Sequence, residues 1–452
     1  MENSASILAA YKLIRAITDD SSFIETLTLV QGKSLLGEAA GEGVISGFAT
    51  IDDIQVGIFA NNSEVLSGSI GKKSAKKISK TIEDAVKMNV PVIGILDTSG
   101  ARFAEGIKAM EGYGGIIKAL NLAYGNVPTI MILKGNCFGM ASYLAASCDF
   151  CIAFDKARLA TSSPLILAAQ TKVDTDKVGT AKVHYEGTGI VSRIVSDEAE
   201  LRDCLRNMLD YLMVSEKDSV DNPNRVCNSL CATSSMRDII TESMDKNSFF
   251  EIKSEFAKEV VVGFARLNGM SVGIIATDSS QNERLTDKGA RKITDFVSGC
   301  ILHCMPIVNF VDCKGVENNL QSENGTLIKD VADMLYSYNV SDNAKISVIT
   351  GNAIGLGYVA FASKRSVDYS IAWDSAYIGM LDSVATANLI YGDQIAAAKD
   401  KASVEAELAK SYAEENCSAS AVAESGYIDN VILPPLTRQY LIAAVMMFSA
   451  KR

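Results

Sequence analysis

Residues 91–154 read PVIGILDTSGARFAEGIKAMEGYGGIIKALNLAYGNVPTIMILKGNCFGMASYLAASCDFCIAF. Val92 to Leu96 is a short apolar run of the kind that forms a strand buried on both faces. It ends at Asp97-Thr98-Ser99-Gly100, whose small residues let a backbone turn approach a ligand closely. An amphipathic stretch then predicts a helix. Thr129 to Leu133 predicts a second buried strand, ending in a Gly-rich turn, Gly135-Asn136-Cys137-Phe138-Gly139, before a further helix and strand. In open α/β sheets ligands gather at the carboxyl ends of strands, where a following helix offers unbonded N–H donors. Two such turns in one unit mark a candidate site.

The unit occurs twice. Asp52-Asp53-Ile54-Gln55-Val56-Gly57-Ile58 matches Asn268-Gly269-Met270-Ser271-Val272-Gly273-Ile274, 216 positions later. Pro91 to Asp97 matches Pro306 to Asp312 at 215, and Gly135-Asn136 with Gly139 matches Gly351-Asn352 with Gly355 at 216. Asp149 to Asp155 matches Asp368 to Asp374 at 219. Four matches in the same order at nearly constant offset identify a tandem duplication of one α/β domain. The 452 residues therefore divide into two domains, placed at 1–232 and 233–452 around the polar stretch Ser215 to Ser235 with its Asn222-Pro223.

A hydrophobic content of 48% is enough for two cores, and a net charge of −11 argues against nucleic acid or an anionic membrane surface as the main partner. The longest apolar region, near 127 to 154, is interrupted by Lys134 and Asp149 and is no membrane span. No signal-peptide order appears at the N-terminus, so the ten cysteines read as free thiols of a cytoplasmic protein. Cys148/Cys151, Cys227/Cys231 and Cys300/Cys304, the last with His303, read as small apolar residues, and no metal is expected.

Residues 1 to 30 predict one or two amphipathic helices, with Ser21-Ser22 as a possible N-cap between them. Gly41 to Ala60 predicts a β-hairpin turning at Asp52-Asp53. The helix from about Lys72 to Met88 carries Lys72, Lys73, Lys76, Lys77 and Lys80, either as a solvated face or as a clamp for a phosphorylated ligand. Helices are also expected from about Asp197 to Met213 and from about Thr437 to the C-terminus.

The residue inventory removes several mechanisms. Only His184 and His303 are present, and no Ser or Cys sits in a nucleophile elbow, which disfavours a triad hydrolase. There is no Walker sequence and no GxGxxG after a strand, so ATP hydrolysis and dinucleotide binding lack support. What remains is two equivalent turns, around Gly139-Met140 and Gly355-Leu356. Their backbone N–H groups would form oxyanion holes that stabilise an enolate, although Gly-rich turns also serve purely structural ends.

Over nearly its whole length the chain resembles the carboxyltransferase subunits of biotin-dependent acyl-CoA carboxylases and decarboxylases, of the propionyl-CoA carboxylase β type. The resemblance rests on Leu66 to Gly71, Asp97 to Arg102 with Glu105-Gly106, Gly112-Tyr113-Gly114 and His184 with Thr188-Gly189. It continues in Val261 to Leu267, Gly426-Tyr427-Ile428-Asp429 and Thr437-Arg438. It implies an α/β fold made of a tandem duplication of a crotonase-like ββα-superhelix domain. It also implies transfer of a carboxyl group between carboxybiotin on a carrier protein and the α-carbon of a short acyl-CoA, acetyl- or propionyl-CoA.

On that resemblance the first domain takes the CoA thioester, with an oxyanion hole at Gly139 and Met140 and contacts from Gly68, Ser69, Ser99, Gly100, Ala101 and Arg102. The second takes biotin at Gly355, Leu356 and Gly357, with Asp312 and Gly315 beside the ring. Val359, just after the second turn, reads equally as an acyl-pocket wall or a core valine. The implied partners are a biotin carboxylase and a biotin carboxyl carrier protein, because no Met-Lys-Met biotinylation site or ATP-grasp region is found. A homo-oligomer, dimer or trimer of dimers, is implied as well, with the site between one copy's first domain and its neighbour's second.

The turns depart from the family's usual Gly-Gly-Ala, reading Gly139-Met140-Ala141 and Gly355-Leu356-Gly357, and Asp312-Cys313-Lys314-Gly315-Val316 stands where Asp-Val-Pro-Gly-Phe is usual. Two neighbouring readings are therefore a biotin-dependent acyl-CoA decarboxylase subunit and a catalytically silent paralogue. A crotonase-type hydratase or isomerase, which would need Glu105 or Glu111 as its carboxylate, is a further one.

Overall fold

The hairpin expected at Asp52-Asp53 is the antiparallel edge from which the first sheet grows. Its strands, Val44–Ile51 and Ile54–Asn61, meet at Ile51 opposite Ile54, and both central residues have positive φ, 52° and 63°. A two-residue loop of that hand matches the right-handed twist of the flanking strands. A computed structural model describes residues 9–34, 37–172, 174–219, 221–302 and 304–449. It divides into two compact units, residues 1–213 and 214–452.

In the first unit the sheet contains β1 (Ile24–Glu25), β2 (Val44–Ile51), β3 (Ile54–Asn61), β4 (Val92–Thr98), β5 (Thr129–Phe138), β6 (Phe150–Phe154), β7 (Arg158–Ala160) and β8 (Arg193–Val195). The spatial order is β1-β2-β3-β4-β5-β6-β8, and β7 pairs with the far end of β5. From β3 onward the pairing is parallel, so helices cover the faces and the strands read as unbroken apolar runs. Helices Lys72–Met88 and Ile107–Ala123 supply two of the crossovers.

The second unit repeats this layout in β9 (Phe250–Ile252), β10 (Val260–Leu267), β11 (Met270–Thr277), β12 (Ile307–Cys313), β13 (Lys345–Ile354), β14 (Tyr369–Trp373), β15 (Tyr377–Gly379) and β16 (Asn430–Ile432). Its order is β9-β10-β11-β12-β13-β14-β16, with β15 on the end of β13. The core gathers Val308, Phe310, Ile346, Val348, Trp373, Leu441 and Val445. Trp373 keeps its indole N–H satisfied at Thr437 Oγ1, 2.9 Å away.

The stretch before the first hairpin has one described helix, Ala9–Ile17, within the one or two expected, followed by the strand β1. Two local expectations change. Ser22 does not cap a helix: its Oγ donates to the Asp19 carbonyl at 2.8 Å. The polar stretch that marked the domain boundary at 232/233 belongs largely to the second unit, which starts at Val214. The reason is pairing: Glu216 bridges Met270, Lys217 N–H donates to Gly269 O at 3.0 Å, and Ser271 N–H donates to Ser215 O at 2.8 Å. The buried Arg438 guanidinium then bonds Asp245 Oδ1 at 2.6 Å and the Asn222 carbonyl at 3.4 Å.

Candidate active site

β4 and β5 stay in register from Val92 opposite Thr129 to Leu96 opposite Leu133, and the next pair is Thr98 opposite Cys137. Two steps on β4 thus meet four on β5, and the surplus is a bulge at Lys134-Gly135-Asn136. The Asp97 carboxylate fills it, accepting from Asn136 N–H at 3.2 Å, and a Cβ on residue 135 would come within 2.4 Å of that oxygen. Glycine is required there. The expected Gly-rich turn is therefore mostly strand, with β5 running on to Phe138 and pairing with β7.

The chain turns only at Gly139, whose φ of +64° suits glycine, and then enters the helix Ala141–Ala146. Gly139 N–H is engaged, donating to the Ala160 carbonyl of β7 at 3.0 Å. The N–H groups of Met140 and Ala141, which open the helix, have no acceptor among the described residues. The neighbouring turn touches this one: a Cβ on Gly100 would lie 2.9 Å from Phe138 O. Gly100 N–H is held by Thr98 Oγ1 at 3.0 Å, which leaves Ala101 N–H without an acceptor among the described residues. Beneath the turns, burial pushes the Cys137 thiol and the Tyr113 hydroxyl well up, so neither supplies an anion.

The second unit has the same device. β12 and β13 step from Val311 opposite Ile349 to Cys313 opposite Ala353. Asp312 Oδ1 accepts from Asn352 N–H at 2.7 Å and from its side-chain amide at 2.9 Å, while Oδ2 accepts from Ser279 at 2.5 Å. Gly355 (φ +54°) starts the helix Leu356–Phe361, and its N–H donates to Gly379 O of β15 at 2.9 Å. Leu356 and Gly357 N–H have no acceptor among the described residues. Gly357 packs against Cys313, where a Cβ would meet the Cys313 carbonyl at 2.9 Å.

These paired turns and doubled sheets have clear relatives. The model of the carboxyl transferase domain matches residues 3–452. The chain is a member of the carboxyltransferase family. It is 33% identical over 435 residues to the carboxyltransferase subunit of propionyl-CoA carboxylase from Haloferax mediterranei, covering 91% of this chain and 84% of that one. It is 32% identical over 469 residues to the methylmalonyl-CoA decarboxylase subunit alpha of Veillonella parvula, covering 98% and 91%. The crystal structure of transcarboxylase 12S, a hexamer with methylmalonyl-CoA and methylmalonic acid bound, superposes with a TM-score of 0.93. It shares 28% identity and the match covers 98% of this chain and 89% of that one. The duplicated crotonase-like α/β fold expected from the sequence is the shared one, and the chain is a carboxyltransferase of biotin-dependent acyl-CoA chemistry.

Within this carboxyltransferase the expected site residues separate into two groups. Met140, Ala101, Leu356 and Gly357 lie on turns with unbonded N–H groups; Ser99 is exposed beside the first, and Val359 is 53% exposed beside the second. Gly139 and Gly355 shape those turns, but their own N–H groups are consumed, so the donor pair moves one residue on, to Met140 with Ala141. Gly68 sits against the Asp97 carbonyl, and Ser69 is buried with its carbonyl accepting from Arg102 Nη2 at 3.0 Å. Asp312 holds the second bulge, and Gly315 (φ +100°) forms the turn beside it.

Arg102 does not face a ligand. It is 4% exposed, and its Nη1 donates to Glu42 Oε2 at 2.5 Å and to Glu105 Oε1 at 2.9 Å. Glu105 also accepts from Lys72 N–H at 2.7 Å, which engages both its oxygens and removes it as the carboxylate of a hydratase. The lysine cluster shrinks likewise. Lys77 is buried, with its ammonium on the Val44 carbonyl at 2.6 Å, and Lys80 pairs with Asp84. Lys73 reaches the Gln31 carbonyl at 2.7 Å, and Lys72, Lys73, Lys76 and Lys80 are all exposed. His184 is a brace: Nε2 donates to Leu159 O in β7 at 2.7 Å, next to the carbonyl that holds Gly139.

No group of three or more His, Cys, Asp or Glu side chains that could hold a metal occurs among the described residues, where His303 is not included. No helix among the described residues is long and apolar enough to cross a membrane. Reasoning from the sequence passed over Ala141 and Arg284. The repeat offset contained the signal for Arg284, because residue 69 plus 215 falls on it.

Proposed function

We propose that this chain moves a carboxyl group between carboxybiotin, carried on a partner protein, and the α-carbon of acetyl-CoA or propionyl-CoA. The reading rests on one observation: each unit ends a bulged strand in a turn with two adjacent N–H groups lacking internal acceptors, Met140 with Ala141 and Leu356 with Gly357. Donors fixed before the reaction stabilise a developing oxyanion without reorganising.

In this reading the first unit holds the thioester carbonyl, and Met140 and Ala141 N–H stabilise the enolate oxygen formed when the α-carbon loses its proton. In the second unit Leu356 and Gly357 N–H would hold the ureido oxygen of biotin. Biotin supplies the carboxyl carrier chemistry. The same enolate serves carboxylation and decarboxylation. The partners are a biotin carboxylase and a biotin carboxyl carrier protein in the cytoplasm, and the chain acts as a homo-oligomer.

The test is decarboxylation of malonyl-CoA and methylmalonyl-CoA by the full-length protein with and without free biotin. Turnover that depends on biotin supports the reading. A folded oligomer that turns over neither ester at any biotin concentration refutes it.

A further inference from the structure

The two units differ at one corner of their otherwise equivalent turns. In the first, Ile70 N–H donates to Gly100 O at 2.9 Å and Arg102 N–H to Ile70 O at 2.9 Å. In the second, Leu285 N–H donates to Gly315 O at 2.9 Å and Glu317 N–H to Leu285 O at 3.0 Å. Ser69 and Arg284 are therefore equivalent positions. In the first unit the nearby arginine, Arg102, is buried and locked by Glu42 and Glu105.

Arg284 is in another state. It is half-buried, and its Nη1 donates to the Val316 carbonyl at 3.2 Å. The same nitrogen lies 3.6 Å from the Cβ position of Gly315, a point that is also 3.6 Å from the Ile354 carbonyl, one residue before the Gly355 turn. Three carboxylates lie close by, and each has another partner: Asp312 has Asn352 and Ser279, Glu283 has Lys314 at 2.5 Å, and Glu259 has Thr286. Among the described residues no carboxylate pairs with Arg284.

The two turns also differ in the side chain that holds their glycine. Thr98 consumes Gly100 N–H in the first unit, whereas its counterpart Cys313 donates its thiol to Gly315 O at 3.3 Å. Gly315 N–H also faces that sulfur and partly offsets the upward push of burial on the thiol.

We propose that Arg284 is a carboxylate-binding residue of the second unit, gripping the N-carboxyl group of carboxybiotin beside the Gly315 turn. The inference rests on the reading of the second unit as the biotin side. A guanidinium stays charged at every working pH and presents a planar fork of donors that fits a carboxylate. At the equivalent position the first unit, which on that reading takes a neutral thioester oxygen, has Ser69.

The experiment measures equilibrium binding of biotin methyl ester and N-carboxybiotin methyl ester to the full-length protein in cold alkaline buffer, where the N-carboxyl group survives. The ester blocks the valerate, so the ring carboxyl is the only charge. Wild type binds the carboxylated ester more tightly than biotin methyl ester. Arg284→Gln, which keeps a donor for Val316 O, weakens the carboxylated ester about tenfold or more and biotin methyl ester less than about twofold. Arg284→Lys is intermediate. Equal binding of both esters by Arg284→Gln and wild type overturns the proposal and leaves the biotin-side reading standing. An equal loss for both esters overturns it as well, because it marks damage to the turn. Failure of wild type to bind either ester refutes the biotin-side reading and the proposal with it.

Discussion

Asp312 accepts from Asn352 N–H at 2.7 Å across the bulge of β13, and Asp97 accepts from Asn136 N–H at 3.2 Å across the equivalent bulge of β5. A carboxylate at the end of one strand thus fixes the place where its neighbour kinks, and the kink aims the following turn. Asp312→Ala removes an acceptor from three donors. A loss of about 1.5–3 kcal/mol is expected for charge-assisted hydrogen bonds at a partly buried site. Denaturant unfolding should show a lower midpoint with an unchanged slope, and a midpoint equal to wild type would contradict the assigned role.

Met140 has φ −58°, within the range of proline, and its N–H has no internal acceptor. Met140→Pro should fold normally and lower kcat by about 10²–10³, the usual effect of deleting one oxyanion donor. Gly139→Ala should behave differently: φ +64° strains any side chain, so stability falls together with activity. The comparison needs kcat and the melting temperature of each variant. A Met140→Pro enzyme with full kcat would remove this N–H from the reaction.

Lys292 is fully buried, and its Nζ donates to the carbonyls of Val260 at 2.5 Å, Phe256 at 2.6 Å and Ala257 at 3.3 Å. Burial is the largest influence on it and pushes its pKa from 10.5 down to about 7. Between these values the unfolded chain holds a proton that the folded chain has released. Stability from this group is therefore complete above the unfolded value and is lost as pH falls toward 7. Unfolding free energy should rise with pH across that window, by at most about 1.4 kcal/mol per unit from this group. Lys292→Met should be less stable, through its orphaned carbonyls, and should lose that part of the slope. Slopes that coincide would show that Lys292 keeps its proton.

The Cys231 thiol is exposed, and hydrogen bonds from Thr233 and then Ser234 lower its pKa to about 7. Buried Cys137 and Cys300 are pushed the other way by desolvation. Iodoacetamide at neutral pH should label Cys231 long before either, because the thiolate is the reacting form. Thr233→Val should slow that labelling. Peptide mapping of the modified protein reads the order directly.

Much of the architecture was legible because its signals are local. The apolar runs of β4 and β12, the hairpin at Asp52-Asp53 and the helix Lys72–Met88 each follow from neighbouring residues, and repeated spacing revealed the duplication. The kink in β5 reads as a turn in the sequence because Gly135-Asn136 is turn-like in composition. Only the facing Asp97 shows why a strand tolerates it.

The sequence alone determined that this protein is one α/β unit used twice, with Gly-rich turns at matching strand ends, since periodicity and offset depend on chain order. Tertiary structure decided which groups at those turns remain available. Gly139 N–H is taken by Ala160 of β7, which follows β6 closely and folds back to pair with β5, while Met140 and Ala141 are left unbonded. Arg102 is locked by Glu42, sixty positions away, and Lys77 by the carbonyl of Val44, whereas Arg284 meets no carboxylate among the described residues. A donor's availability depends on what folding brings beside it, and those partners are distant in the chain.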